Sequence, residues 1–277
     1  MKVKTVLQQF TVRETIKGAA AFLLFVLGLI FIFFNLKGVF TSLRNPQVIK
    51  EAKEYKFGME MSLEEFYINL DKLQKNIELS DSAKIVQSTH LVNRSMVHLW
   101  ETKGAPDYNI EIPLHENYLL CFLGRVYPKR FLKYEFCDWE RAIERGVGLC
   151  SQHVIVERGI LNTLGIKTKA IGLSGHVVLT AEYQPNKWFV ADPDYGVIIP
   201  YPLDTIEKNA NLIKQYYEME GYGLQHTSIL VGLFGVEGNY VAETYCENSL
   251  EDVLYLLIWI IPILCMAPFL LFIKSRI

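Results

Sequence analysis

The chain has 277 residues, with 28 Lys and Arg against 30 Asp and Glu, which is room for one good-sized domain plus further segments. The charge is uneven: residues 38–252 carry 21 basic and 29 acidic side chains, a net −8, while the two ends together carry +6. An acidic domain excludes nucleic acid as a partner, because that binding needs a basic surface.

In chain order, residues 1–17 are followed by an uncharged run at 18–36, and a second uncharged run covers 253–273 before the tail 274–277. At about 1.5 Å per residue each run reaches about 30 Å, the thickness of a bilayer core. The first run exceeds a signal-peptide h-region and no A-x-A pattern follows it, so it reads as an anchor. Two spans place both termini on one side. Lys and Arg tie around the first span, but none occurs from Gly235 to Asp252, whereas Lys274 and Arg276 follow the second. The positive-inside rule then puts both termini in the cytoplasm and the domain outside.

Residues 38–114 read as helical. Asn45-Pro46 suits a helix start and Gly58 an end. Ser62 and Glu65 form a capping box, after which Leu63, Phe66, Leu70, Leu73 and Ile77 fall on one helical face. A helix is expected over roughly Ser82 to Glu101, and a short one over Leu114 to Phe122 with Gly124 behind it.

Residues 115–252 read as the core. Asp138 caps WERAIER, Gly146 and Gly148 end it, and a helix opens at Cys150 and stops before Gly165. Then IKTKAIGL, HVVLTAEY, KWFVADP and GVIIPY are β-rich runs with turn residues between them. A helix from about Asp204 to Glu218 closes the pattern. Helices followed by an antiparallel sheet define the α+β class.

Cys150 stands where a glycine loop enters a helix. Free N–H groups and the positive helix end favour a thiolate, which is the nucleophile, and can hold a developing oxyanion. A base is needed, and His176 opens a strand directly after Gly175. The ring needs an orienting acceptor. Asp192 ends the next strand, and the short QPNK turn makes the two strands antiparallel neighbours, which brings Asp192 near His176. Asp194 is the alternative orienter, and Asp192 is favoured because Asp194 lies past Pro193. His153, three residues after Cys150, reads as packing. Cys121 reads as core, and Cys137 and Cys246 either pair or do not.

The order GVGLCSQ, LNTLGIKTKAIGL, SGHVV and KWFVADPDYG resembles the core of the transglutaminase-like superfamily over roughly residues 115–200. The resemblance implies a papain-like Cys–His–Asp core with a helical N-terminal lobe and an antiparallel sheet, here flanked by two transmembrane helices. It implies Cys150 as nucleophile, His176 as base and Asp192 as orienter. It implies acyl chemistry on a peptide or protein substrate, either hydrolysis as a peptidase or amidase or transfer to an amine as a transglutaminase. Metal and organic cofactors are not required. The competing expectation is a non-catalytic envelope component that binds through the same fold and docks its spans against membrane protein partners. Pro262 and Pro268, which would kink the second span, favour it.

Overall fold

The computed structural model describes residues 2–44, 61–98, 110–235, 239–241 and 248–275. The helix expected from Asn45-Pro46 to Gly58 lies outside them, as does Cys246. In chain order the elements are α1 (Lys2–Val39), α2 (Leu63–Lys75), α3 (Asp81–Ser95), β1 (Val97–His98), α4 (Tyr118–Val126), α5 (Pro128–Phe131), α6 (Trp139–Arg145), β2 (Val147–Gly148) and α7 (Cys150–Thr163). They continue as β3 (Thr168–Gly172), β4 (Val177–Gln184), β5 (Lys187–Asp192), β6 (Val197–Ile199), α8 (Leu203–Lys208), α9 (Lys214–Met219), α10 (Leu224–Phe234), β7 (Tyr240–Val241) and α11 (Asn248–Lys274). These elements fall into two units, one of Met1–Ser42, Glu111–Tyr134 and Ser249–Ile277, the other of Leu43–Ile110 and Glu135–Asn248.

In the first unit, Arg13–Val39 and Leu250–Lys274 are long and apolar enough to cross a membrane. Both helices run past the apolar stretches at 18–36 and 253–273. Pro262 sits inside α11 and has no N–H to give the carbonyl of Ile258. That carbonyl instead accepts from Asn35 Nδ2 at 2.6 Å and from the Tyr118 hydroxyl at 3.0 Å. A side chain at Gly28 would meet the Pro262 carbonyl oxygen at 2.7 Å, so glycine permits this approach of the two helices.

In the second unit, the Ser62–Glu65 capping box starts α2, and Phe66, Leu70 and Leu73 are buried. Ile77 does not join them: the helix ends at Lys75 and Ile77 is 90% exposed. The expected helix from Ser82 stops at Ser95, short of Glu101, because Val97 and His98 leave it to pair in parallel with Val147 and Gly148. The helix expected at Leu114 starts at Tyr118, where the Asn117 side chain accepts from the N–H groups of Leu119 and Leu120, and it carries Gly124 inside it.

Strands β3–β6 form an antiparallel sheet in the order β6-β5-β4-β3, with β7 beside β3. Its two faces serve two cores. Val177, Leu179, Ala181, Phe189 and Ala191 pack with Ile85, Val154 and Leu161 of α3 and α7. The alternate residues Val178, Val190, Val197 and Ile199 pack with Ile206, Ile213, Tyr217, Leu230 and Phe234. The period of two is the strand geometry itself. The helix expected from Asp204 to Glu218 is broken at Asn209, whose ψ of 78° leaves helical space, and a 3₁₀ turn at Ala210–Ile213 joins α8 to α9. The break lets Ile206, Ile213 and Tyr217 all reach one core. Helix α10, not foreseen, buries Thr227, Leu230 and Phe234 at helical spacing.

Candidate functional site

Cys150 is the first residue of α7, after Leu149 in extended conformation. The first helical N–H bond runs from Gln152 to the Leu149 carbonyl at 3.0 Å, so the N–H groups of Cys150 and Ser151 precede it and point out of the helix end. The approach is fixed from behind. Buried Gln152 accepts from Phe136 N at 2.7 Å and from Arg145 at 2.9 Å, and donates to Phe136 O at 2.8 Å. A side chain at Gly148 would meet Gln152 Cβ at 2.4 Å, so only glycine fits that close turn. Trp139 packs against Gly159 of α7, where an added Cβ would meet its ring.

His176 enters β4 through a tight turn. Leu173 N–H donates to His176 O at 2.8 Å, and Gly175 holds φ at 105°, a value that L side chains rarely adopt. The ring is buried. Its Nε2 lies 2.8 Å from Asp192 Oδ2, and a ring nitrogen lies within 4.8 Å of the Cys150 sulfur. With Nε2–H donated to Asp192, Nδ1 is the atom left to face the thiol. Burial opposes charge on His176, yet the Asp192 carboxylate, its hydrogen bond and the nearby Cys150 sulfur hold its pKa well above the usual histidine value.

Asp192 is fully buried and has two further partners that sequence reasoning missed. The Tyr217 hydroxyl donates to Oδ2 at 2.6 Å, and Tyr195 N–H to Oδ1 at 3.3 Å. Burial raises the Tyr217 pKa far above the phenol value, and the adjacent Asp192 raises it further, so Tyr217 stays a donor. The Tyr195 ring stands edge-on to the imidazole, centroids 5.4 Å apart. Tyr217 gave no local signal in the sequence, since it joins Asp192 only through packing.

The structure also gathers Asp194, which the sequence set aside as lying beyond the strand. Asp194 is buried, accepts from His98 Nδ1 at 2.8 Å, and lies 3.6 Å from His153 Nδ1. Burial works against its charge, but His153 and His98 overcome this and hold the carboxyl at about 2. His153 also sets Nδ1 against the Leu149 carbonyl at 2.9 Å, and burial lowers its pKa despite Asp194. His98 was not singled out in the sequence. Donor atoms of Cys150, His176 and Asp194 lie within 4.8 Å of one another, a set that can also hold a soft divalent cation. The Asn93 side-chain amide donates to Asp194 O at 2.7 Å, tying α3 to the segment after β5.

Compared with protein-family models, with curated proteins and with solved structures, the chain finds no match. By its own structure it is a mixed α/β protein with a Cys–His–Asp arrangement at the end of an antiparallel sheet. Its chain also carries two helices long and apolar enough to span a membrane.

Proposed function

We propose that the protein is a membrane-anchored cysteine enzyme of transglutaminase-like fold that cleaves or transfers an acyl group at an amide of a peptide or protein. The observation that carries the reading is one line of groups: a thiol at a helix start, within 4.8 Å of a buried imidazole that is hydrogen-bonded to a buried carboxylate.

The chemistry follows from that line. The Cys150 proton passes to His176 Nδ1, giving a thiolate beside an imidazolium, and the sulfur then bonds to the substrate carbonyl carbon. The carbonyl π pair moves to oxygen, where N–H groups at the start of α7 can receive the charge. The tetrahedral centre collapses, the C–N bond breaks, and His176 returns the proton to the leaving amine. A thioester remains. Water or an amine then gives a proton to His176 and attacks the thioester, and the sulfur leaves as the restored thiol. Water makes the reaction a hydrolysis, and an amine makes it a transfer. Asp192 keeps the ring in the required tautomer and balances its positive form, and Tyr217 holds Asp192 in place.

The outer side of the membrane suits this domain on two grounds. Basic residues follow the second span and are missing before it. Cys137 is disulfide-bonded, while Cys121, Cys150 and Cys265 are free, and structural disulfides belong to oxidising compartments.

The test is an electrophilic peptide-amide probe applied to the full-length protein in membranes. One labelled site at Cys150, abolished by His176→Ala, is the expected result. A folded protein that resists the probe, with Cys150 no more reactive than Cys121, would instead favour the non-catalytic binding component.

A further inference from the structure

The stretch FLGRVYPKRFLK, Phe122 to Lys133, has four basic residues and no acidic one, inside a domain of net charge −8. It belongs to the unit that holds the two apolar helices. On α4, Phe122, Arg125 and Val126 stand three and four apart and share a face. Phe122 is 63% exposed, Val126 47% and Tyr127 61%. The side away from Phe122 and Val126 is occupied: Leu120, Cys121 and Gly124 are buried. At the head of the helix Tyr118 stacks on Phe31 of α1, ring centroids 4.4 Å apart, and donates to the Ile258 carbonyl of α11. Two further bonds tie the flanks to the start of α11, Tyr255 to Glu116 at 2.7 Å and Tyr134 to Glu251 at 2.8 Å.

These attachments fix a depth. They run along α11 from Glu251 to Ile258, a rise of about 10 Å. The deepest attachment, Ile258, lies five residues inside the apolar run that begins at Val253, about 7–8 Å of helix, comparable to the roughly 5–10 Å to which an amphipathic helix sinks into a headgroup layer. The Tyr118 end of α4 is held at that level of α11, and the spans themselves expose apolar side chains, Leu264 for example being 64% exposed. Aromatic and apolar groups flanked by cations suit the edge of a bilayer, with hydrocarbon on one side and phosphate on the other.

We propose that α4 and α5 form an interfacial membrane element, with Phe122, Val126 and Tyr127 at the acyl margin and Arg125, Lys129 and Arg130 on the phosphates of anionic lipids. The inference rests on the reading of α1 and α11 as spans, and its test separates the two.

Spin labels are placed singly on the full chain, in a background of Cys121→Ala, Cys150→Ser and Cys265→Ala, in phosphatidylcholine vesicles with and without phosphatidylglycerol. The sites are Phe122→Cys and Tyr127→Cys, with Leu264→Cys as the span reference and the exposed Ile77→Cys as the aqueous one. Tyr127 lies past the helix end, so its label serves even if Phe122→Cys does not fold. At both test sites, collisions with oxygen relative to a water-soluble nickel chelate should approach the Leu264 value. Values like those of Ile77 at both sites, with Leu264 in lipid, would overturn the element and leave the spans standing. Leu264 in water would overturn both. Reversing Lys129 and Arg130 to Glu should lower the preference for phosphatidylglycerol, measured by lipid retained on the purified protein, by about fivefold for each cation lost. An unchanged preference would overturn the phosphate contacts.

Discussion

His176 and Asp192, 16 residues apart in the chain, meet at 2.8 Å because they are diagonal neighbours on one face of the β4–β5 hairpin. The register pairs Leu179 with Ala191. Continued by one step it sets Asp192 opposite Val178, and His176 lies two residues further along that same face. Side chains two apart share a face, and a diagonal pair of this kind is within reach of long groups. A one-residue slip would turn Asp192 to the other core.

Asp192→Asn should leave the fold intact and slow probe labelling of Cys150 by about 10- to 10³-fold. The amide can stabilise the wrong ring tautomer and cannot balance an imidazolium. The comparable change in serine proteases costs about 10⁴, a value taken from that system, and a thiol depends less on its base. Tyr217→Phe removes one bond to Asp192 and should slow labelling by about fivefold, on the order of 1 kcal/mol. Rates of both variants equal to the parent's would remove Asp192 from the mechanism.

Asp194 carries a different expectation, in stability. Its carboxyl is held at about 2, below the unfolded value of 3.8, so its contribution is present above about pH 4 and is lost as pH falls through about 2. Asp194→Asn should therefore lower stability at neutral pH by roughly 2 kcal/mol and flatten the acid limb of the stability curve. Denaturant melts from pH 2 upward measure this. A parallel acid limb in the variant would show that the histidine contacts contribute nothing.

Glu157 has the opposite sign. Burial raises its pKa to about 8, against hydrogen bonds from Thr89 and Ser88. A carboxyl raised in the folded state costs stability as pH climbs from about 4.5 towards 8, at up to roughly 1.4 kcal/mol per pH unit. Glu157→Gln keeps an acceptor for Thr89 and removes the titration. It should remove that loss from the melting curve, so that the variant exceeds the parent by an increasing margin as pH rises from about 5 to 8. Parent and variant curves that run parallel would mean that Glu157 is not protonated in the folded protein.

For the membrane orientation, reporter fusions near Lys2 and at Lys274 should read as cytoplasmic and one at Asp107 as external. An impermeant maleimide applied to intact cells should reach Cys137 only after a reductant. Labelling of Cys137 without reduction, or only after the cells are broken, would move the domain to the reducing side.

Glu135 offers a further check on how Cys150 is positioned. The Ser151 hydroxyl, next to the thiol, donates to its carboxylate. Burial raises the Glu135 pKa, and the bond from Ser151 partly offsets this. Ser151→Ala leaves a half-buried acceptor short of a donor and should cost about 1 kcal/mol of stability. If Ser151 only supports the loop, labelling of Cys150 stays within a few-fold of the parent.

The sequence alone set the parts that depend on neighbours along the chain. Ser62 with Glu65, Asp138, and the glycines around Cys150 mark helix ends through local hydrogen bonds and allowed φ values, and they stand where the sequence put them. The QPNK turn made β4 and β5 a hairpin, so the meeting of His176 and Asp192 was legible as well. Only the tertiary structure decided the rest. His98 and Asp194 are 96 residues apart, and Tyr217 and Asp192 are 25 apart with a broken helix between them. The apolar pattern from Asp204 to Glu218 runs across Asn209 without a mark, because periodicity records which residues are buried and not the direction of the axis that buries them. The chain leaves helical geometry at Asn209 so that three short segments can cover one face of the sheet, and that choice belongs to packing between elements, which no local propensity encodes.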